Sequence, residues 1–156
     1  MSEVLNNSAI IKNFNDFLEQ GNYRKTPERA AVLNEALAFA KPFTADQLLE
    51  ALQSTTFRVS QSAVYANLEL MVAAGIFSRF FNEGLRKLQF TRVSDEKFVH
   101  LVCLRCGKVK IVKDQALAQE LHAKRYAAFT EHYRIMCVNG VCNSCARSEK
   151  KQKTKL

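Results

Sequence analysis

Residues 60–90 read SQSAVYANLELMVAAGIFSRFFNEGLRKLQF. Ser60 is a helix-capping residue, because its hydroxyl can accept from a free backbone N–H of the first turn. Val64, Leu68, Met71 and Val72 then recur at helical spacing. Gly75 suits the left-handed residue that ends such a helix. Residues 76–90 are rich in Phe, Ile and Leu, with Asn82-Glu83-Gly84 in the middle as a turn, and they predict a β-hairpin. Helices running into a two-stranded hairpin describe a winged helix-turn-helix. The helix before the hairpin is the one that enters a DNA major groove.

Working outward toward the N-terminus, Ile10, Ile11, Phe14, Phe17 and Leu18 predict a helix over residues 8–20, ended by Gly21 and Asn22. In Thr26-Pro27-Glu28-Arg29, Thr26 can cap, Pro27 fits the first helical position and Glu28 suits the positive helix start. That helix continues through Val32, Leu33, Ala36 and Leu37 to about Phe39. After Pro42, Thr44 with Gln47 forms a capping box for a third helix whose apolar face is Leu48, Leu49 and Leu52.

Toward the C-terminus the character changes around residues 91–97. Strands are predicted at 98–102, 109–112 and 133–138, the last with an Asn139-Gly140 turn signal behind it. Asp114 caps an intervening helix expected to carry Leu117, Leu121 and Tyr126. The fold class is α+β: a winged-helix domain at 1–92, a small β-α-β domain at 93–147, and a basic tail at 148–156. That tail holds Lys150, Lys151, Lys153 and Lys155 and is expected to be disordered.

The small domain has a C-x-x-C pair at each end: Cys103-Leu104-Arg105-Cys106, followed by Gly107, and Cys142-Asn143-Ser144-Cys145. Two intervening residues let one tight turn aim both thiolates at a single ion, and Gly107 permits the backbone such a knuckle needs. Two pairs supply four soft ligands for one tetrahedral Zn²⁺ per chain, with no open position for water or substrate. The site is therefore read as structural. A thioredoxin-like redox motif needs one pair, not two flanking pairs. Cys137 stands apart as a small core residue of a strand, with a redox or soft-metal role as the alternative.

In bulk, the 156 residues are 47% hydrophobic, enough to bury a core, and carry a net charge of +8, which suits a polyanion partner. No apolar run approaches the ~20 residues of a membrane span, and residues 1–7 show no signal pattern. A cytoplasmic protein without a membrane partner is expected. No nucleophile–base constellation, phosphate loop or open metal site points to an enzyme.

Over residues 21–145 the chain resembles the ferric uptake regulators. Arg24-Lys25-Thr26-Pro27-Glu28-Arg29 is similar to the family's R-x-T-P-x-R motif, residues 59–68 to its recognition helix, and residues 103–107 and 140–145 to its cysteine pairs. The resemblance implies a C-terminal dimerisation domain, a homodimer on double-stranded DNA, and repression by blocking promoters. It also implies DNA-binding roles for Arg24, Gln61, Ser62, Tyr65 and Asn67. Ala66 stands where the family has an arginine that reads or holds DNA.

The departures bear on the effector. The family's His-rich run is Lys97-Phe98-Val99-His100 here, with His100 alone kept. Other ligand positions fall at or near Pro42, Ile111 and Arg134, with His132 two positions away. Glu83 is retained, so the residual regulatory site is Glu83 with His100, short of the about four to six N/O ligands a divalent ion takes. The expected function is a sequence-specific transcription regulator without the usual regulatory metal, its effector open between haem and redox state. The alternative is a zinc-stapled protein-interaction module that has lost specific DNA binding.

Overall fold

A computed structural model of the chain describes residues 2–93, 98–131 and 133–154, with the backbone alone for residues 2–6. Lys97, His132 and Lys155 lie outside the described residues. The fold is α+β, in two compact units: Met1–Arg79 with Gln89–Val93, and Phe80–Leu88 with Ser94–Leu156. The division passes through the hairpin, whose outer half belongs with the second unit.

The first unit begins with helices α1 (Ser2–Gln20), α2 (Pro27–Leu37), α3 (Ala45–Gln53) and α4 (Gln61–Ala73). Each expected cap is present. The Thr26 hydroxyl accepts from the Arg29 N–H at 3.1 Å, Thr44 and Gln47 close a reciprocal capping box, and the Ser60 hydroxyl accepts from Ala63 at 3.2 Å. Asn22, at φ 57°, and Gly75, at φ 76°, supply the left-handed residues that follow α1 and α4. The core holds Phe14, Leu18, Val32, Leu33, Leu48, Leu52, Val64, Leu68 and Met71, all buried.

The hairpin is β1 (Phe77–Asn82) and β2 (Lys87–Arg92). A further pairing escapes any reading of local pattern: Phe43 bridges Phe90 through two backbone hydrogen bonds of 2.9 and 2.7 Å. Along β1 the alternation puts Ser78, Phe80 and Asn82 inside and Arg79 and Phe81 outside.

The second unit adds β3 (Phe98–Cys103), β4 (Val109–Lys113), α5 (Gln115–Ala123), β5 (Met136–Gly140) and α6 (Asn143–Thr154). Its sheet has the order β4-β3-β5, antiparallel between β3 and β4 and parallel between β3 and β5. Three expectations need correction. Tyr126 lies beyond the end of α5 and is 59% exposed. The last strand starts at Met136 and runs through Asn139 and Gly140, because pairing with Val102 and Cys103 overrides their local turn tendency. Residues 148–154 of the basic segment expected to be disordered are the end of α6, where Glu, Gln and Lys favour helix and Glu149 pairs with Arg105 at 2.7 Å. No helix among the described residues is long and apolar enough to cross a membrane.

Candidate nucleic-acid interface and metal centre

The face of α4 is set by helical period. Val64, Leu68 and Met71 are buried, which leaves Gln61, Ser62, Tyr65 and Ala66 on the exposed side, Tyr65 at 42% exposure. Asn67 is not on that side, contrary to the expectation that it contacts DNA. It is 6% exposed; its Oδ1 accepts from Arg29 Nε at 2.8 Å and its Nδ2 donates to the Ala63 carbonyl at 2.8 Å. Both ends of the amide are engaged within the fold.

Arg29 continues the chain of contacts by donating through Nη1 to the Arg24 carbonyl. The Arg24 side chain is left exposed, and Tyr23 beside it stacks on Phe17 with ring centroids 6.1 Å apart. A hydrogen-bonded link through Arg29 therefore ties the loop that carries Arg24 to the middle of α4. Sequence reasoning did not single out Arg29 as the link between Arg24 and Asn67. The available signal was a motif arginine at the start of a helix, where a cation is disfavoured unless something else holds it.

The four paired cysteines converge. Cys103 is buried at the end of β3, Cys106 is exposed in the following turn, and Cys142 and Cys145 are half-buried at the start of α6. Their sulfurs all lie within 4.8 Å of one another, and they form the only group of three or more His, Cys, Asp or Glu with metal-site geometry among the described residues. Cys106 and Cys142 sulfurs are 3.9 Å apart, too far for a disulfide. Zn–S bonds of about 2.3 Å in a tetrahedron separate sulfurs by about 3.8 Å, so the cluster fits that ion.

The electrostatics agree with a cation site. The Cys103 sulfur accepts from the N–H groups of Cys142 at 3.3 Å and Arg105 at 3.4 Å. The backbone of Cys106, then that of Cys142, draws its pKa down to about 6. Cys145 goes the other way, to about 12, chiefly through its hydrogen bond with Cys142 and then through burial. The surrounding groups thus favour the Cys103 thiolate and oppose that of Cys145. A divalent ion reverses that balance, since a coordinated thiol is deprotonated. Gly107, at φ 74°, closes the turn.

Glu83 and His100 are differently placed. Glu83 is exposed in the hairpin turn, whereas His100 is 4% exposed on β3 with its ring centroid 5.6 Å from that of Phe80. The inward residue of the hairpin tip is Asn82, not Glu83. His100 Nδ1 has no hydrogen-bond partner among the described residues. Burial lowers the His100 pKa, partly offset by a hydrogen bond with the Met136 backbone. Arg134 donates to the carbonyls of Leu121 and Lys124, the latter at 2.8 Å, and pairs with Glu131 at 2.5 Å, which fastens the C-terminal end of α5. Cys137 is half-buried opposite His100, and burial raises its thiol pKa.

A pH dependence follows. The folded pKa of His100 lies below its unfolded value of about 6.5, so the unfolded chain binds the extra proton first. This contribution to stability is complete above that pH and is lost as pH falls through it. Urea midpoints between pH 8 and 5 are expected to drop more steeply for the native chain than for His100→Gln. Parallel curves would exclude His100 as the source.

Comparison with known proteins bears on the whole assembly. Residues 20–138 match the Ferric uptake regulator family. The peroxide-responsive repressor PerR of Staphylococcus aureus (strain USA300) is 26% identical over 130 residues, 82% of this chain and 86% of that protein. The Vibrio cholerae ferric uptake regulator superposes with a TM-score of 0.60 at 26% identity, covering 82% of this chain and 98% of that one. The Helicobacter pylori ferric uptake regulator, at 17% identity, shares the fold, with a TM-score of 0.69 over 90% of this chain and 93% of that one. With its sequence matched from residue 20 to residue 138, the chain belongs to the ferric uptake regulator family, a family of regulators and not of enzymes.

Proposed function

We propose that this chain is a dimeric, sequence-specific DNA-binding transcription regulator, acting as a cytoplasmic repressor. In this reading one structural Zn²⁺ per chain sits on Cys103, Cys106, Cys142 and Cys145, and there is no regulatory divalent-metal site. The observation that carries the reading is the exposed edge of α4. Gln61, Ser62 and Tyr65 face outward, with Arg24 on a loop tied to the same helix through Arg29 and Asn67. Polar side chains on a winged-helix recognition helix suit base edges and phosphates, and a nearby exposed guanidinium suits a phosphate or a minor groove. The +8 charge favours the same partner. Among the relatives, PerR is by name a repressor, and the V. cholerae structure is described as rearranging its DNA-binding domains.

Dimerisation is supported by the second unit's unfinished surfaces. β5 is a sheet edge, Val138 within it and Val141 just after it are 52% and 43% exposed, and α5 buries no residue. A second copy covering them would complete the core and present two recognition helices to a palindromic site.

The absence of a regulatory divalent site is supported by the chemistry at several of the expected positions. Arg134 is a cation holding α5, Pro42 and Ile111 offer no side-chain ligand, and Glu83 and His100 differ in exposure. Haem or redox state remain the effector classes to examine. The test is a titration of labelled operator-library DNA with the zinc-loaded protein, with and without added Fe²⁺ or Mn²⁺, its mass read by light scattering. Binding by a dimer is expected, with an affinity change below about tenfold, or about 1.4 kcal/mol. A larger metal-dependent gain that His100→Ala abolishes would show a surviving regulatory site. No binding to any duplex would favour the protein-interaction module.

A further inference from the structure

The tip of the β1–β2 hairpin and the first cysteine turn are built into one another. Asn82 has no exposed surface. Its Nδ2 donates to the Gly107 carbonyl at 2.9 Å, and its Oδ1 accepts from the backbone N–H groups of Gly84 at 3.0 Å and Leu85 at 3.1 Å. One amide thus shapes the hairpin turn with its oxygen and grips the cysteine turn with its nitrogen.

Two glycines let the backbones meet. A Cβ added at Gly84 would lie 2.1 Å from the Cys103 carbonyl oxygen and 2.6 Å from the Gly107 Cα. A Cβ at Gly107, where φ is already +74°, would lie 2.3 Å from Leu85 Cγ. Main chain against main chain leaves little room for either turn to move alone. The cysteine turn is itself fastened at both ends, by the Gly107 N–H to the Cys103 carbonyl at 2.9 Å and the Leu104 N–H to the Gly140 carbonyl at 2.7 Å.

We infer that Asn82, Gly84 and Gly107 form a latch through which the metal-holding turn positions the hairpin tip, and the tip in return keeps that turn shut on its ion. Asn82 is a positioning residue in this latch, acting on the 103–107 turn through its bond to the Gly107 carbonyl. The inference rests on the reading of the four cysteines as a zinc site, and not on DNA binding. Its consequence is that zinc occupancy and hairpin order are linked. Whatever binds zinc more weakly loosens residues 80–88, and whatever loosens those residues releases zinc faster.

The experiment uses the full-length, zinc-loaded chain and its Asn82→Ala variant. Elemental analysis first establishes zinc content. Zinc transfer to a chromogenic chelator and hydrogen–deuterium exchange are then followed on the same samples. Asn82→Ala is expected to speed zinc transfer about tenfold or more, corresponding to loss of about 1.4 kcal/mol. Exchange should rise over residues 80–88 and 103–107 and stay unchanged around Leu68 in α4. Gly84→Ala, which keeps the amide but pushes the tip off the Cys103 carbonyl, should do the same and serves if Asn82→Ala fails to fold. Faster hairpin exchange with zinc transfer at the native rate would overturn the latch, as would no change in either. A native chain that holds no zinc would overturn the zinc reading itself, before any variant is measured.

Discussion

Cys103→Ser is expected to empty the metal site and abolish the cooperative unfolding transition of the second unit. The reason is how little else holds that unit together. Among the described residues its buried apolar side chains are Phe80, Val99, Val102 and Cys103 itself, and neither α5 nor α6 buries any residue. A structural zinc with four thiolates contributes apparent binding energy on the order of 10–16 kcal/mol, larger than the stability of most small domains. Cys103 also anchors the cluster: it ends β3, and its sulfur accepts two backbone hydrogen bonds from the two cysteine turns. Elemental analysis should find no zinc in the variant, and hydrogen exchange should show residues 98–154 unprotected. A variant that retains full protection there without metal would show that packing, not zinc, closes the unit.

Phe43→Ala is expected to cost the first unit about 3–5 kcal/mol, the usual penalty for emptying a large aromatic site in a core. Phe43 is 1% exposed. Its ring stacks on Phe39 with centroids 4.6 Å apart, meets Phe77 edge-on at 5.6 Å and lies 6.0 Å from Phe90. The residue thus joins the segment before α3 to both strands of the hairpin, and its backbone bridge to Phe90 loses the packing that shields it from water. At about 4–8 °C per kcal/mol for a domain of this size, the melting temperature should fall by about 12 °C or more. DNA binding should fail at temperatures the native chain tolerates, while zinc content stays the same. A shift of only a few degrees would mean that the aromatic cluster is peripheral to the fold.

What could be read from the sequence lies mostly within a few residues along the chain. Thr26 before Pro27, Thr44 with Gln47, and Ser60 before α4 declare helix starts because a capping oxygen reaches an N–H only two or three residues away. Val64, Leu68 and Met71 mark the buried face of α4 because helical period alone puts them on one side. The cysteine pairs are equally local: each turn aims its own two sulfurs. What sequence could not supply is the choice among distant partners. Asn67 looked like a base-reading amide until the fold set it against Arg29, 38 positions earlier. Asn82 and Glu83 were equal members of a turn until strand alternation sent Asn82 inward to Gly107 and left Glu83 outside. Asn139 and Gly140 carried a turn signal that pairing with Val102 and Cys103 overruled. A side-chain amide or a backbone N–H satisfies its hydrogen bonds with whichever group the fold brings within about 3 Å, so these roles were settled only when the tertiary structure brought distant segments together.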